Sequence, residues 1–355
     1  MVAGLLGALL VACDSDDDDG ESQSEATSPA TEPVGQDTPA EAVSPGETPS
    51  DEVATLGDDS RGLYVYSAAD GDIEQLASSE ALGHRGVGLD WFPDGESIAA
   101  FGASLLRIGL DGSAEVIYEP EDLVFLTAVS PDGERVAFSC SGPQSSDVCI
   151  VPAEPGGQLT RASEDEFFDY LVDWLGDQRI LILSDSRPGA PNIPVYDGHF
   201  PRQAGYFVLN TLDGNVVPAT AADVQDPWLS PDGEWSFALG PAPDYAFFTA
   251  AADARIVVPV EAEDVERIDP TALADQFEVA WSSDGDYAAL VQRVVADDGG
   301  FIRSAYNIWL VDLKGESVEL IVQAGPCQTD LDCNVTVEWS PESTQLAILY
   351  GIAGD

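Results

Sequence analysis

Two histidines, five cysteines and 65 carboxylates are the residues of this 355-residue chain with the most chemistry to offer. His84 and His199 lie far apart in sequence, each with a guanidinium close by: Arg85 beside the first and Arg202 beside the second. His199 also has Asp185 and Asp197 nearby, and an imidazole with a carboxylate could act as acid and base in a lyase or a glycosidase. No carboxylate pair is singled out by its spacing, however. The nucleophile elbow Gly-x-Ser-x-Gly, the zinc motif His-Glu-x-x-His and the phosphate-binding glycine loop do not occur in the sequence. The chain therefore reads as a non-enzyme, with no catalytic residue, no cofactor and no metal. The acidic run Asp16 to Asp19 lacks the alternating spacing and the glycine of a calcium loop and reads as solvated spacer.

Apart from Cys13, the cysteines fall into two close pairs, Cys140 with Cys149 and Cys327 with Cys333. Such pairs are expected to be disulfides, each contributing about 2–3 kcal/mol by restricting the unfolded chain. The first would join the second and third strands of one repeat, and the second would staple a loop between repeats. Zinc is the alternative, disfavoured because the pairs are widely separated and only two histidines could complete a site.

Charge narrows the partners. Lys and Arg number 13, so the formal net charge is −52, and Lys314 is the only lysine. A surface this anionic repels a nucleic acid backbone and an anionic membrane face alike. The same excess of acid resembles that of proteins from salt-rich habitats, where screening relieves self-repulsion. A requirement of folding for salt or divalent cations is the corresponding expectation.

The scaffold that positions these groups is a repeat. The signature W-S-P-D-G, or a worn form of it, occurs at Trp91-Phe92-Pro93-Asp94-Gly95, Val129-Ser130-Pro131-Asp132-Gly133, Trp174-Leu175-Gly176-Asp177, Leu229-Ser230-Pro231-Asp232-Gly233, Trp281-Ser282-Ser283-Asp284-Gly285 and Trp339-Ser340-Pro341-Glu342-Ser343. Successive copies lie 38 to 58 residues apart, a period that marks a repeat architecture. Pro and Asp suit the corners of a tight turn and Gly accepts the left-handed residue that follows. Each turn precedes an apolar stretch such as Arg135-Val136-Ala137-Phe138, then a second such as Asn307 to Asp312, then a last short strand such as Ser317 to Val322. Four antiparallel strands per unit make a propeller blade.

The final unit stops after its second strand near Tyr350, while Leu63 to Tyr66 and Ile73 to Leu76 read as third and fourth strands lacking a first and second. The expected fold is all-β: a six-bladed β-propeller of four-stranded antiparallel blades, its ring closed by N- and C-terminal strands sharing one blade. A sandwich of the same hairpins is the alternative, as is a seventh blade hidden between Glu261 and Ala280. Trp91, Trp174, Trp281 and Trp339 are expected to pack between blades, with Trp235 and Trp309 at core strand positions.

These repeats resemble the TolB-type or WD40-like PD40 propeller repeats, which also build the non-catalytic propeller of prolyl-oligopeptidase-like enzymes. The resemblance covers about Arg61 to Gly351. The Trp174 copy departs from the pattern in lacking proline, and the last copy in carrying Glu342-Ser343 for Asp-Gly. It implies a module that acts through protein contacts in the cell envelope, although no α/β domain of the TolB kind precedes the repeats.

Val2 to Ala12 is a short apolar run ending in Leu10-Val11-Ala12-Cys13, similar to a bacterial lipobox without its basic leader. Residues 1–13 are accordingly expected to be a lipoprotein-type signal segment with Cys13 lipidated. Residues 14–59 hold 15 of the acids and no basic residue, the composition of a disordered tether, and residues 60–355 form the propeller. The protein is then extracytoplasmic, a monomer held to the membrane by a lipid anchor only.

Loop length indicates the working face. Tight Pro-Asp-Gly and Asp-Gly turns occupy one face, whereas the insertions 185–203, 261–277, 293–305 and 323–333 fall on the other. Long loops on a rigid scaffold commonly carry binding. Candidate contacts on that face are His84, Arg85, Arg187, Tyr196, His199, Phe200, Arg202 and Arg303, with the proline-rich loop Asp185 to Gln203 foremost. Each arginine could equally neutralise neighbouring acids. The expected partner is an envelope or cell-wall-associated protein, with a glycan or small ligand at the channel mouth, or a propeller lyase or glycosidase activity, as the alternatives.

Overall fold

The signature turn shows how each unit starts. In Ser130-Pro131-Asp132-Gly133, the Gly133 N–H closes on the Ser130 carbonyl at 2.8 Å, and Gly133 adopts φ 70°, a left-handed conformation that is least costly for glycine. The buried Ser130 hydroxyl donates to Asp132 and accepts the Arg135 N–H at 3.0 Å. Asp132 in turn accepts the Glu134 N–H at 3.0 Å. Ser230 with Asp232 and Ser282 with Asp284 repeat the arrangement. The last copy places Ser343 at φ 59° where Gly95, Gly133, Gly233 and Gly285 stand in four other copies. Its hydroxyl reaches the Ser283 hydroxyl at 2.9 Å and accepts the Asp284 N–H at 3.2 Å, so a link to the neighbouring turn offsets the backbone strain.

The computed structural model describes residues 53–57, 60–83, 88–120, 124–141, 146–164, 166–185, 187–189, 204–239, 246–250, 254–259, 277–297, 302–325 and 334–351. All belong to the unit Ala40–Asp355; the separate unit Met1–Pro39 contributes none of them. Strand β1 (Ala54–Leu56) comes first, then the hairpin of β2 (Gly62–Ser67) and β3 (Ile73–Ser78). One sheet follows with β4 (Gly88–Trp91), β5 (Ser97–Phe101), β6 (Leu105–Gly109) and β7 (Ala114–Tyr118). The next has β8 (Val124–Val129), β9 (Arg135–Ser141), β10 (Ser146–Pro152) and β11 (Thr160–Arg161). A third has β12 (Phe168–Gly176), β13 (Arg179–Asp185), β14 (Gly205–Asn210) and β15 (Val216–Pro218). Then come β16 (Trp235–Leu239), β17 (Ala246–Ala250) and β18 (Arg255–Val258), followed by β19 (Phe277–Trp281), β20 (Tyr287–Asp297), β21 (Ile302–Asp312) and β22 (Ser317–Ala324). The last two strands are β23 (Asn334–Trp339) and β24 (Gln345–Gly351).

The protein is all-β, its described strands falling into separate antiparallel sheets, most of them four-stranded, with no α-helix among the described residues. One sheet has the order β23-β24-β2-β3, with Gly62 opposite Tyr350 and Ser67 opposite Gln345, so the two ends of the chain share it as the sequence indicates. Middle strands such as Ser97–Phe101 and Arg179–Asp185 are nearly continuous in buried residues because both their faces are covered, while the outer strand Ala114–Tyr118 is largely exposed. Side chains between neighbouring sheets form the core: Ile98, Ala100, Leu349 and Trp91 cluster at one junction, Val148, Ile180, Ile182 and Trp174 at another.

Three expectations are corrected. The unit starting at Leu229 has a three-stranded sheet among the described residues, in which the first strand is reduced to a bridge between Leu229 and Ser236 and a bond from the Phe237 N–H to the Trp228 carbonyl. Pro227 lacks an N–H, and the Asp226 carboxylate accepts that of Trp228, so a turn replaces ladder pairing. The supposed loop 293–305 is mostly hairpin: β20 and β21 stay paired from Tyr287 opposite Asp312 out to Asp297 opposite Ile302. The β-branched Val294, Val295 and Ile302 there favour strand over loop. Finally, the segment expected to remain a tether up to Asp59 contributes β1, which pairs parallel with β22 and buries Leu56. Val53 to Leu56 is a short apolar run after the acidic stretch, and it covers an otherwise open sheet edge.

Candidate functional site

Strands β4, β19 and β23 end at their signature tryptophan and β12 carries its own near its end, and these first strands pack beside one another and β8: β4 lies against β8 and β23, β12 against β8, and β19 against β23. The indoles stitch them together. Trp91 Nε1 donates to the Glu338 carbonyl at 3.0 Å, Trp174 to Ala128 at 3.0 Å, Trp281 to Pro227 at 2.8 Å and Trp339 to Ala280 at 3.0 Å. Each bond crosses to the sheet before it, and Trp91, Trp174 and Trp339 are buried, so these rings pack between sheets as anticipated.

The position before the tryptophan carries an unforeseen feature. It is Asp90 on β4, Asp173 on β12 and Glu338 on β23, with Glu278 three residues before Trp281 on β19. Asp90 is half-buried and the other three are exposed to a water-sized sphere, although Asp90, Asp173 and Glu338 are each hemmed in by protein. These carboxylates lie on innermost strands that pack against one another. Burial pushes the Asp90 carboxyl up to about 7, opposed by the Val129 N–H that it accepts at 2.5 Å and reinforced by the charge of Asp173. Burial likewise raises Glu338 well above the usual carboxylate range, with Asp90, Asp173 and Glu278 adding repulsion. Asp173 is raised by burial, partly offset by the Trp174 N–H donating to it at 2.7 Å.

The same strands expose apolar surface. Leu126 and Val172, at bulges in β8 and β12, and Phe168 at the start of β12 are 37–43% exposed. Phe125 and Tyr170 meet across the two strands with ring centroids 5.9 Å apart. Leu126 holds φ 55°, a left-handed strain that a leucine adopts only where its surroundings impose it. These neighbouring strands thus carry one carboxyl, Asp90, that burial pushes up to about 7, together with exposed apolar side chains able to meet a partner. Among the described residues no group of three or more His, Cys, Asp or Glu is arranged to hold a metal ion.

Of the residues singled out in the sequence, Arg187 is turned inward. It forms an ion pair with the buried Asp169 at 2.8 Å, which also accepts the Ser184 hydroxyl at 2.5 Å, and it stacks over Phe167 at 4.6 Å and Phe207 at 5.7 Å. Arg161 similarly pairs with buried Asp147 at 2.6 Å. Arg303 lies in β21 opposite Ala296, within the hairpin instead of on a loop. The Cys140–Cys149 disulfide is present, joining β9 to β10 with Cα atoms 5.9 Å apart. Cys13, His84, Arg85, Tyr196, His199, Phe200, Arg202, Cys327 and Cys333 lie outside the described residues. The sequence did hold a signal for this acidic group: three of its four carboxylates directly precede a signature tryptophan.

No family model matches the chain, and no curated protein matches its sequence. Among solved structures it is similar to a putative TolB from Agrobacterium tumefaciens, with 16% identity, 82% of this chain and 98% of that chain covered, and a TM-score of 0.47. It is also similar to TolB from Acinetobacter baumannii (14% identity, 76% and 68% covered, TM-score 0.38) and to an oligogalacturonate lyase from Vibrio parahaemolyticus (12%, 80% and 82%, TM-score 0.38).

Proposed function

We propose that the chain is a six-bladed β-propeller, closed into a ring by its terminal strands, that serves as an extracytoplasmic binding module for another protein of the cell envelope. Its signal segment ends at lipidated Cys13, an acidic spacer leads to β1, and the loop-rich face and innermost strands meet the partner. The observation that carries the reading is the apolar surface left open on β8 and β12, where Leu126, Phe168 and Val172 stand exposed beside carboxylates. Exposed apolar groups with a polar surround are what a protein interface covers. The Cys140–Cys149 disulfide supports an oxidising compartment. The strong negative charge argues for a partner surface that is not itself acidic and against nucleic acid. No catalytic role and no cofactor form part of this reading.

Crosslinking in the native envelope, followed by identification of captured neighbours, tests the proposal. A neighbour recovered with the wild-type protein and lost both on deleting 186–203 and on replacing Phe168 and Val172 by serine is the expected result. Recovery of the same neighbours with all variants would remove this face from consideration, and the absence of any specific neighbour would shift the reading to a glycan or small ligand.

A further inference from the structure

We infer that Asp90, Asp173 and Glu338, with Glu278 beside them, form a proton-dependent latch on the innermost strands, which holds while they keep their protons and loosens on full ionisation. Four elements converge on it: Asp90 comes from β4, Asp173 from β12, Glu338 from β23 and Glu278 from β19. Strand β8, with the sequence VFLTAV, contributes no titratable group. The Trp228–Leu229 stub adds only Asp226, whose carboxylate is engaged by the Trp228 N–H at 3.0 Å. Among the described residues, the charges acting on Glu338 are those of carboxylates: Asp90, Asp173 and Glu278.

The residues that gather this charge also carry the bonds between strands. Asp90 accepts the Val129 N–H of β8 at 2.5 Å, and the adjoining Trp91 indole donates to the Glu338 carbonyl of β23 at 3.0 Å. Asp173 precedes Trp174, whose indole holds the Ala128 carbonyl of β8 at 3.0 Å. Repulsion among the carboxylates therefore acts directly on the seams that these bonds close. Asp90, Asp173 and Glu338 all hold their protons more firmly than free carboxyls do. The stability that they contribute is therefore full below the ordinary carboxylate range and is lost as pH rises, through about 7 for Asp90. Surface carboxylates have finished titrating by then, leaving His84 and His199 as the other side chains whose ordinary values lie close to neutrality.

The test is amide hydrogen exchange on the full chain at constant high salt, from about pH 5.5 to about pH 8.5, corrected for the intrinsic pH dependence of exchange. Peptides from β4, β8, β12 and β23 are compared with reference peptides from β10 and β17. Protection on the innermost strands is expected to fall about tenfold across the range while the references change little. Glu338→Gln and Asp173→Asn should each shrink that fall, which separates the carboxylates from the histidines. Constant protection on the innermost strands, an equal fall in the references, or a Glu338→Gln protein with the wild-type profile overturns the latch. If one variant fails to fold, the other serves the comparison, and the contrast between inner and reference strands in the wild type still decides it.

Discussion

Arg187 illustrates how little residue type says about role until its neighbours are known. Its place at the edge of a proline-rich insertion suggests a contact residue, yet its side chain is only 12% exposed and its ion-pair partner Asp169 is 1% exposed. Removing one member of such a pair strands the other in a poor solvent and typically costs about 3–5 kcal/mol, whereas exchanging both for apolar groups is often neutral. Arg187→Met should therefore destabilise the fold by about 3 kcal/mol, and Arg187→Met combined with Asp169→Leu should recover most of that loss. Denaturant unfolding of the two singles and the double measures it. Equal destabilisation by Arg187→Met alone and by the double would show that the pair is not the source. Asp90 poses the opposite problem: nothing about an aspartate before a tryptophan announces a carboxyl titrating near neutrality. Burial between neighbouring strands makes it one, opposed by the Val129 N–H and reinforced by the charge of Asp173.

At the level of elements, the signature does two jobs that its sequence reveals only in part. The Ser-Pro-Asp-Gly corner closes each hairpin by local bonds, a pattern legible from composition because every partner lies within five residues. The tryptophan instead bonds across a seam, to a carbonyl 46 residues away in the case of Trp174 and Ala128. Trp174→Phe keeps most of the apolar area and removes that donor, so it should cost about 1–2 kcal/mol through an unsatisfied buried carbonyl. Thermal unfolding would register this as a lowered midpoint, and an unchanged midpoint would mean that water replaces the indole. The three-stranded sheet after Leu229 and the long β20–β21 hairpin escaped the sequence reading for related reasons. A single proline can abolish a ladder, and a hairpin extending past its sheet has the same alternation as one inside it.

For the molecule as a whole, charge and pH act in opposite directions on different carboxylates. Asp132 and Asp232, held down chiefly by their serine hydroxyls and then by backbone N–H groups, favour the folded state above the ordinary carboxylate range, and that contribution is lost as pH falls through their lowered values. Asp90, raised by burial, contributes most below the model-peptide value of 3.8, and its contribution is lost as pH climbs towards about 7. Stability should accordingly peak in mildly acidic solution, between about pH 4 and about pH 6. With a net charge of −52, the whole profile should rise when salt is increased from about 0.05 M to about 1 M, most strongly on its alkaline side. Calorimetric midpoints across a pH and salt grid test both expectations, and a profile flat in salt would remove self-repulsion as a determinant of stability.

The sequence by itself determined the repeat, the all-β class, the sharing of one sheet by both chain ends, and the Cys140–Cys149 link. Each depends on local turn chemistry, on strand periodicity or on residues close in the chain, which a linear reading registers directly. Tertiary structure alone decided that β1 covers the edge of β22, that Arg187 neutralises Asp169, and that Asp90, Asp173 and Glu278 repel the charge of Glu338. The four carboxylates are spread over nearly 250 residues, so their repulsion and shared burial exist only once separate strands are brought side by side. Burial and proximity are properties of the fold, and they turn an ordinary acidic side chain into a group that responds to neutral pH.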